Sequence, residues 1–137
     1  MGEYLIIFGL FWMAVNSLSA LRIGMQHESH VDALKVLIRE GNHEEFEQQR
    51  SEWQWRKAVH AHGMLLSLVN VVVGMLVPMM SSTSSLFINI MGGLLICAPI
   101  LWTIFGTWFS KPLLGLGDLF FTAGIMMGCL ALLNQCL

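Results

Sequence analysis

Charge is scarce in this chain. Only 12% of its 137 residues are Asp, Glu, Lys or Arg, and 55% are hydrophobic, whereas soluble domains are about one quarter charged. This balance excludes an ordinary water-soluble domain, because too few charged side chains are present to cover its surface. The composition is typical of a chain solvated largely by lipid.

Cysteine and enzyme motifs are also lacking. Cys97, Cys129 and Cys136 show no paired spacing, which excludes a disulfide framework and a paired-cysteine zinc motif. The sequence has no glycine-rich phosphate loop, no Gly-x-Ser-x-Gly and no His-Glu-x-x-His. These absences favour a non-enzymatic protein and leave enzymatic activity open.

What the sequence does contain is four long apolar runs, at about Tyr4–Leu21, Ala58–Met80, Leu86–Phe109 and Leu113–Leu133. Each has about 18 residues or more, enough for a helix to cross a hydrocarbon core of about 30 Å. Strand alternation is absent, which excludes barrel strands. We predict an all-α membrane protein, with four transmembrane helices in a bundle that forms a single domain over residues 1–137.

Every Lys, Arg and His falls on one side of this pattern. The basic residues are Arg22, Lys35, Arg39, Arg50, Arg56, Lys57 and Lys111, and the histidines are His27, His30, His43, His60 and His62. The other side has no Lys or Arg. By the positive-inside rule, we predict that segment 22–57 is cytoplasmic. Both termini then lie outside a plasma membrane, such as a bacterial inner membrane.

Segment 22–57 has the pattern of a helical hairpin. Apolar residues recur at helical spacing within 30–40. Gly41 then suits a helix C-terminal cap, and Asn42 suits an N-cap with Glu45 three residues later. No breaker follows before Val77, so we predict a second helix of about 35 residues that projects beyond the membrane. Pairing about the Gly41–Asn42 turn brings His30 near Trp53, and we interpret Trp53 and Trp55 as membrane-interface anchors and hairpin packing.

Small and polar residues recur three and four apart within the apolar runs. In lipid, such residues allow helices to approach closely and to form hydrogen bonds with each other. We predict that they face the inside of the bundle: Gly9, Asn16, Ala20 and Gly24 on the first helix, His60, Gly63, Ser67, Asn70 and Gly74 on the second, Asn89, Gly92, Pro99, Thr103, Gly106 and Ser110 on the third, and Gly117, Gly124 and Gly128 on the fourth. Pro99 should also bend the third helix.

The candidate chemistry lies at the cytoplasmic end, around His60, His62 and Asp118. His60 lies on the small-residue face, and His62 points towards another helix or lipid. A carboxylate at the depth of Asp118 is costly unless it is paired. We favour a structural interpretation, in which Asp118 pairs with Arg22 or Lys111.

Other interpretations stay open. Imidazole and carboxylate ligands are common for divalent metals, so His60 or His62 could bind a metal with Asp118, aided by His27 or His30. Two histidines on neighbouring helices could instead hold haem. Lipid or small-molecule binding, and a small channel, are further alternatives.

The favoured function is that of a non-enzymatic accessory, scaffold or interaction component that forms oligomers. Its expected surroundings are the lipid bilayer, with self-association or a membrane protein complex as partner and no nucleic acid. The alternative is a redox or transport protein that uses haem or a metal at the His/Asp group. The cofactor, if there is one, is not determined by the sequence.

Three segments carry a resemblance to a known family. They are Gly24-Met25-Gln26-His27 after the first run, Trp53-Gln54 ahead of a histidine at the mouth of the second, and Leu114-Gly115-Leu116-Gly117 at the entry to the fourth. In these features the chain resembles the YgdD-like family of small four-span membrane proteins. The Pro-x-Gly-Gly-like entry of that family is replaced here by Gly-Leu-Gly-Asp, and the Trp-to-His spacing differs. The resemblance implies the four-span architecture and supplies no catalytic residue.

Overall fold

The computed structural model describes residues 1–108 and 114–136, apart from the side chains of 105–108, 114 and 136. In these residues the helices are α1 (Gly2–Met25), α2 (His27–Glu40), α3 (His43–Leu76), a short 3₁₀ helix (Val77–Met80), α4 (Ser85–Trp108) and α5 (Leu114–Cys136). Helices α1, α3, α4 and α5 are long and apolar enough to cross a membrane. The predicted all-α class and the four apolar helices are confirmed.

The joint between α1 and α2 is short. Helix α1 continues past the apolar run to Met25, and α2 begins at His27. The Gln26 N–H donates to the Arg22 carbonyl at 3.1 Å, and the Gln26 carbonyl accepts from the His30 N–H at 3.0 Å. Backbone hydrogen bonding therefore continues through the joint, because no proline interrupts it.

The turn between α2 and α3 has the predicted caps. Gly41 adopts a left-handed conformation with φ of 73°, which a residue with a Cβ atom adopts only at a cost. The Asn42 side chain accepts a hydrogen bond from the Glu45 N–H at 3.4 Å and donates to the Glu45 carboxylate at 2.8 Å. Helix α3 is 34 residues long, and it ends where Pro78 cannot donate a further backbone bond.

Helices α1 and α3 pack through their smallest residues. Gly2 and Gly9 are seven residues apart on α1, as are Ser67 and Gly74 on α3. A Cβ added at Gly9 would lie 2.7 Å from the Ser67 carbonyl oxygen, and one added at Gly74 would lie 2.7 Å from that of Gly2. Only residues without a Cβ permit this approach of two backbones.

Helices α4 and α5 pack large side chains against glycine. A Cβ added at Gly117 would lie 2.8 Å from the Trp102 ring, and one added at Gly124 would lie 2.8 Å from the Leu95 side chain. Trp102 and Leu95 are seven residues apart, as are the two glycines. One face of α4 therefore fills the spaces that the glycines of α5 leave open.

A side chain joins α3 to the proline of α4. Pro99 has no N–H, so the Leu95 carbonyl loses the backbone partner that it would have in a regular helix. The Asn70 Nδ2 group donates to this carbonyl at 3.0 Å, and Asn70 is 1% exposed. Asn70 therefore faces inward, as predicted. Asn89, near the start of α4, and Gly24, near the end of α1, are exposed and do not face the core.

The two ends of the long apolar helices differ chemically. Arg22, Arg56 and Lys57 lie where α1 ends and the apolar part of α3 begins, and we call this the basic end. At the opposite end, the Ser82 hydroxyl donates to the Gln135 side-chain oxygen at 3.0 Å. The predicted functional residues all lie near the basic end.

Candidate functional site

The histidines predicted to act together lie in three separate places. His27 and His30 lie on α2 beside Trp53. His60 lines a cleft between α1, α3 and α4, whereas His62 stacks on the side chain of Trp102 in α4. Residues two apart on a helix point about 200° apart, which explains why His60 and His62 leave α3 in different directions.

The first group is a stack of rings between α2 and α3. The His30 and Trp53 ring centroids are 4.3 Å apart with planes at 16°, and the His27 ring lies 6.1 Å from the same indole. Burial lowers the pKa of His30 below its usual 6.5, and the nearby charges of His27, Lys57 and Arg56 lower that pKa further. Neutral His30 is therefore favoured, so this contact brings no additional charge into the interface.

The two tryptophans of α3 have different surroundings. Trp53 is 7% exposed, which is the environment of a packing residue between α2 and α3. The Lys57 ammonium lies 5.7 Å from the Trp53 ring centroid, within the range of a cation–π contact. Trp55 is partly buried, lines the cleft beside His60 and lies 6.4 Å from Trp102.

The second group joins three helices. The His62 and Trp102 rings are 4.4 Å apart and almost parallel, at 7°. Trp102 Nε1 donates to the Asp118 carboxylate at 2.7 Å. His62 Nδ1 lies 2.9 Å from the Ala58 carbonyl, and because a carbonyl oxygen only accepts, that nitrogen carries the proton. The stack ties α3, α4 and α5 together at the basic end.

Among the described residues, the partner of Asp118 is the Trp102 indole and not Arg22, one of the two cations expected in the structural interpretation. Within the described residues Asp118 forms no ion pair with Arg22, which lines the cleft between α1 and α3 instead. Lys111, the other expected partner, lies outside the described residues. The indole bond satisfies one oxygen of the carboxylate without a counter-charge.

The third group is a cleft of about 500 Å³ at the basic end. Most of its lining is polar or charged and comes from α1, the α1–α2 joint and α3, with Thr103 from α4. The lining residues are Asn16, Ser19, Arg22, Ile23, Gln26, Glu52, Trp55, Arg56, Val59, His60 and Thr103. His60 Nδ1 is buried and has no hydrogen-bond partner in the described residues. A buried polar atom without a partner is rare, which distinguishes His60 from the other residues of the lining.

The predicted metal group is not assembled. Among the described residues no three His, Cys, Asp or Glu side chains are close enough to hold a metal ion. Two histidines on neighbouring spans are not available to ligate haem, since α1, α4 and α5 contain no histidine. The arrangement favours hydrogen bonding and ring stacking over metal coordination.

The residues predicted to pack lie at interfaces within the chain. Gly63 faces the Asn16 side chain, and Ser67 is fully buried with its hydroxyl donating to the Gly63 carbonyl at 2.6 Å. Gly124 meets Leu95, and a Cβ added at Gly128 would lie 3.5 Å from the Met91 sulfur. These small residues therefore contact other helices of the same chain.

Two important residues were missed by the sequence patterns. Trp102 is the centre of the stack at the basic end, and Trp12 joins α1 to α4 by donating to the Thr103 hydroxyl at 3.2 Å. The spacing of Trp102 and Leu95, matched by that of Gly117 and Gly124, was a signal that could have identified the first. No comparable signal marks Trp12, because its partner depends on how α1 and α4 are placed.

Comparison of the chain with protein-family models, curated proteins and solved structures finds no match. The resemblance to the YgdD-like family accordingly stays a prediction.

Proposed function

We propose that the protein is a small multi-pass membrane protein that acts as a non-enzymatic accessory component, by docking a partner protein on the projecting ends of α2 and α3. The observation that carries the proposal is the excess of acidic residues at the turn between these helices. Four exposed glutamates surround the turn between them, Glu40, Glu44, Glu45 and Glu47, and we call this group the acidic tip. Arg39 lies next to Glu40, and Arg50 lies 3.6 Å from Glu47. Arg56 and Lys57 lie further along α3, where its apolar part begins.

Helix length supports a projecting tip. A span needs about 20 residues, and α3 has 34, so roughly 14 residues, or about 20 Å, extend beyond the apolar segment. Helix α2 lies along this extension and exposes Val36 and Ile38 at 47% and 56%. Apolar side chains on a charged, projecting helix are typical of a contact surface.

The charge pattern also supports an orientation. Positively charged residues near a span favour the cytoplasmic side. The acidic tip therefore lies in the cytoplasm, and the N- and C-termini lie outside. The membrane that fits is a plasma membrane, such as a bacterial inner membrane. The acidic tip is held away from the anionic lipid surface and faces a partner with a basic surface.

Docking at the tip is a better basis for association than the small-residue faces. Gly63, Gly74, Gly124 and the other packing residues already contact helices of the same chain. Self-association through these faces would require the chain to come apart. A heterologous partner on the tip requires no such change.

A photo-crosslinking amino acid at position 44, in cells that make the full chain, tests the proposal. We expect one discrete adduct with a basic partner, weakened in Glu40→Lys and by added salt, because exposed charge contacts are screened. Glu28→Lys is the matched control, since Glu28 is an exposed glutamate on α2 far from the tip. An adduct of twice the chain's mass would show self-association instead of partner docking. An adduct unaffected by Glu40→Lys would contradict the proposal.

A further inference from the structure

We propose that the cleft between α1, α3 and α4 binds the phosphate group of an anionic amphiphile, with an anionic phospholipid as the source. This site is distinct from the acidic tip, and neither depends on the other. The argument rests on the charges that face the cleft, on an unsatisfied nitrogen in its wall, and on its position at the edge of the apolar segments.

Two guanidinium groups line the cleft from different helices. Arg22 belongs to α1 and Arg56 to α3, and neither forms an ion pair in the part of the chain that the structure describes. The planar fork of arginine matches phosphate oxygens with two parallel hydrogen bonds. Two such groups at one opening fit a dianionic or monoanionic phosphate better than any neutral head group.

The carboxylate in the lining cancels only part of this charge. Glu52 is exposed, and its side-chain oxygen accepts a hydrogen bond from Gln48 at 3.1 Å. Gln48 is neutral, so Glu52 keeps its charge and offsets one of the two arginines, which leaves one more cation than anion in the lining. An anionic ligand is favoured by this balance.

The inner wall offers a further polar contact. His60 Nδ1 is buried without a partner in the described residues, although the equivalent nitrogen of His62 bonds to its own helix. A ligand oxygen or hydroxyl at this point would satisfy it. The adjoining cleft of about 440 Å³ between α2 and α3 shares Gln26, Glu52 and Arg56, and is lined by Trp53, whose buried Nε1 is also unsatisfied.

The position of the cleft favours an amphiphile over a wholly water-soluble anion. Asn16 and Val59 lie within the apolar segments, whereas Arg22 and Arg56 lie at their ends. The volume of about 500 Å³ is in the range of small-molecule sites. A ligand that spans this boundary has an anionic group at the arginines and an apolar part below, and anionic lipids are enriched in the leaflet that positive residues face.

Native mass spectrometry of the full chain in mild detergent tests the site. The probes are phosphatidylglycerol, phosphatidylcholine of the same chain length, and inorganic phosphate. We expect one tightly bound phosphatidylglycerol, with affinity reduced about tenfold or more in an Arg22→Gln/Arg56→Gln variant, because two charge-assisted contacts are lost. The matched control, Arg39→Gln/Arg50→Gln, removes the same charge outside the cleft and should change the affinity less than about twofold.

The other outcomes would overturn either the lipid source or the site itself. Binding of inorganic phosphate with the same arginine dependence, and none of phosphatidylglycerol, keeps the phosphate site and overturns the lipid source. Equal binding of phosphatidylcholine, or equal weakening in the control variant, overturns the site. If the double variant does not fold, Ser19→Phe keeps both arginines and fills the cleft, and undiminished phosphatidylglycerol binding by that variant overturns the proposal as well.

Discussion

The α1–α3 and α4–α5 interfaces both depend on glycines seven residues apart, but they use them differently. In α1–α3, the atoms closest to a new Cβ include the backbone carbonyls of Ser67 and Gly74. In α4–α5, the closest atoms belong to the side chains of Trp102 and Leu95. The first pair brings two backbones together, whereas the second inserts side chains into spaces left by glycine.

The difference shows which interface can adapt. A side chain can change its rotamer to make room for an added methyl group, while a helix backbone shifts only as a whole. The α1–α3 contact should therefore tolerate substitution much less than the α4–α5 contact. Glycine spacing alone does not distinguish the two cases.

The largest effect is expected for Gly9→Val. The new Cβ would lie 2.7 Å from the Ser67 carbonyl oxygen, so the helices must separate, and we expect the free energy of unfolding to fall by about 3 kcal/mol. Unfolding in mixed micelles of increasing SDS fraction measures this. Gly24→Val is the control, because nothing lies within 4 Å of its Cβ position, and equal losses in the two variants would contradict the backbone contact.

A smaller loss is expected for Gly124→Ala, about 1 kcal/mol, in the same unfolding assay. The nearest atoms are the Leu95 side chain at 2.8 Å, which can move. Leu95→Val should reduce the cost of Gly124→Ala in a double-mutant cycle, whereas no side-chain change should rescue Gly9→Val. Gly115→Ala, with nothing within 4 Å, is the control. Independent effects of Leu95→Val and Gly124→Ala would argue against the contact.

The link between the two interfaces is the bond from Asn70 to the Leu95 carbonyl. We expect Asn70→Leu to lower the free energy of unfolding by about 1 kcal/mol, since hydrogen bonds between helices in lipid contribute about that much or less. The loss should shrink in a Pro99→Ala background, where the residue at 99 can again donate to Leu95. An equal loss in both backgrounds would show that Asn70 acts only through its packing.

The smallest effect is expected outside the apolar segments, between α2 and α3. The pKa of His30 is lowered, mainly by burial and then by His27, Lys57 and Arg56. The unfolded state binds the proton more readily, so α2 should stay fully protected from hydrogen exchange above pH 6.5 and lose protection as the pH falls from 6.5 through the lowered pKa. His30→Phe keeps the stack and should flatten this dependence, and an unchanged pH profile would exclude His30 as its source.

Sequence patterns predicted the local features well. The cap residues Gly41 and Asn42 follow from turn chemistry, and the length of α3 follows from the absence of a breaker before Pro78. The small-residue faces are also read from spacing, because helix geometry fixes which residues share a face. Asn89 and Gly24 were placed wrongly, since a face near a helix end need not meet a neighbour.

Contacts between helices were much harder to predict. The bond from Trp102 to Asp118 and the cleft between Arg22 and Arg56 depend on the rotation and placement of each helix, which no single-helix pattern fixes. His60 and His62 were grouped as one locus by depth, and their different directions followed from helix spacing, but the neighbours that each one meets did not. The sequence located the chemistry along the chain and could not say which side chains meet.

The bond between Asn70 and the Leu95 carbonyl also bears on how the chain is assembled. Helix α3 is synthesised before α4, so the amide that completes the proline-containing helix is already in place when that helix emerges. Alone in lipid, α4 would expose one unpaired carbonyl to hydrocarbon. Its entry into the bilayer and its docking against α3 are therefore coupled, and the later α5 has a finished surface on which to pack.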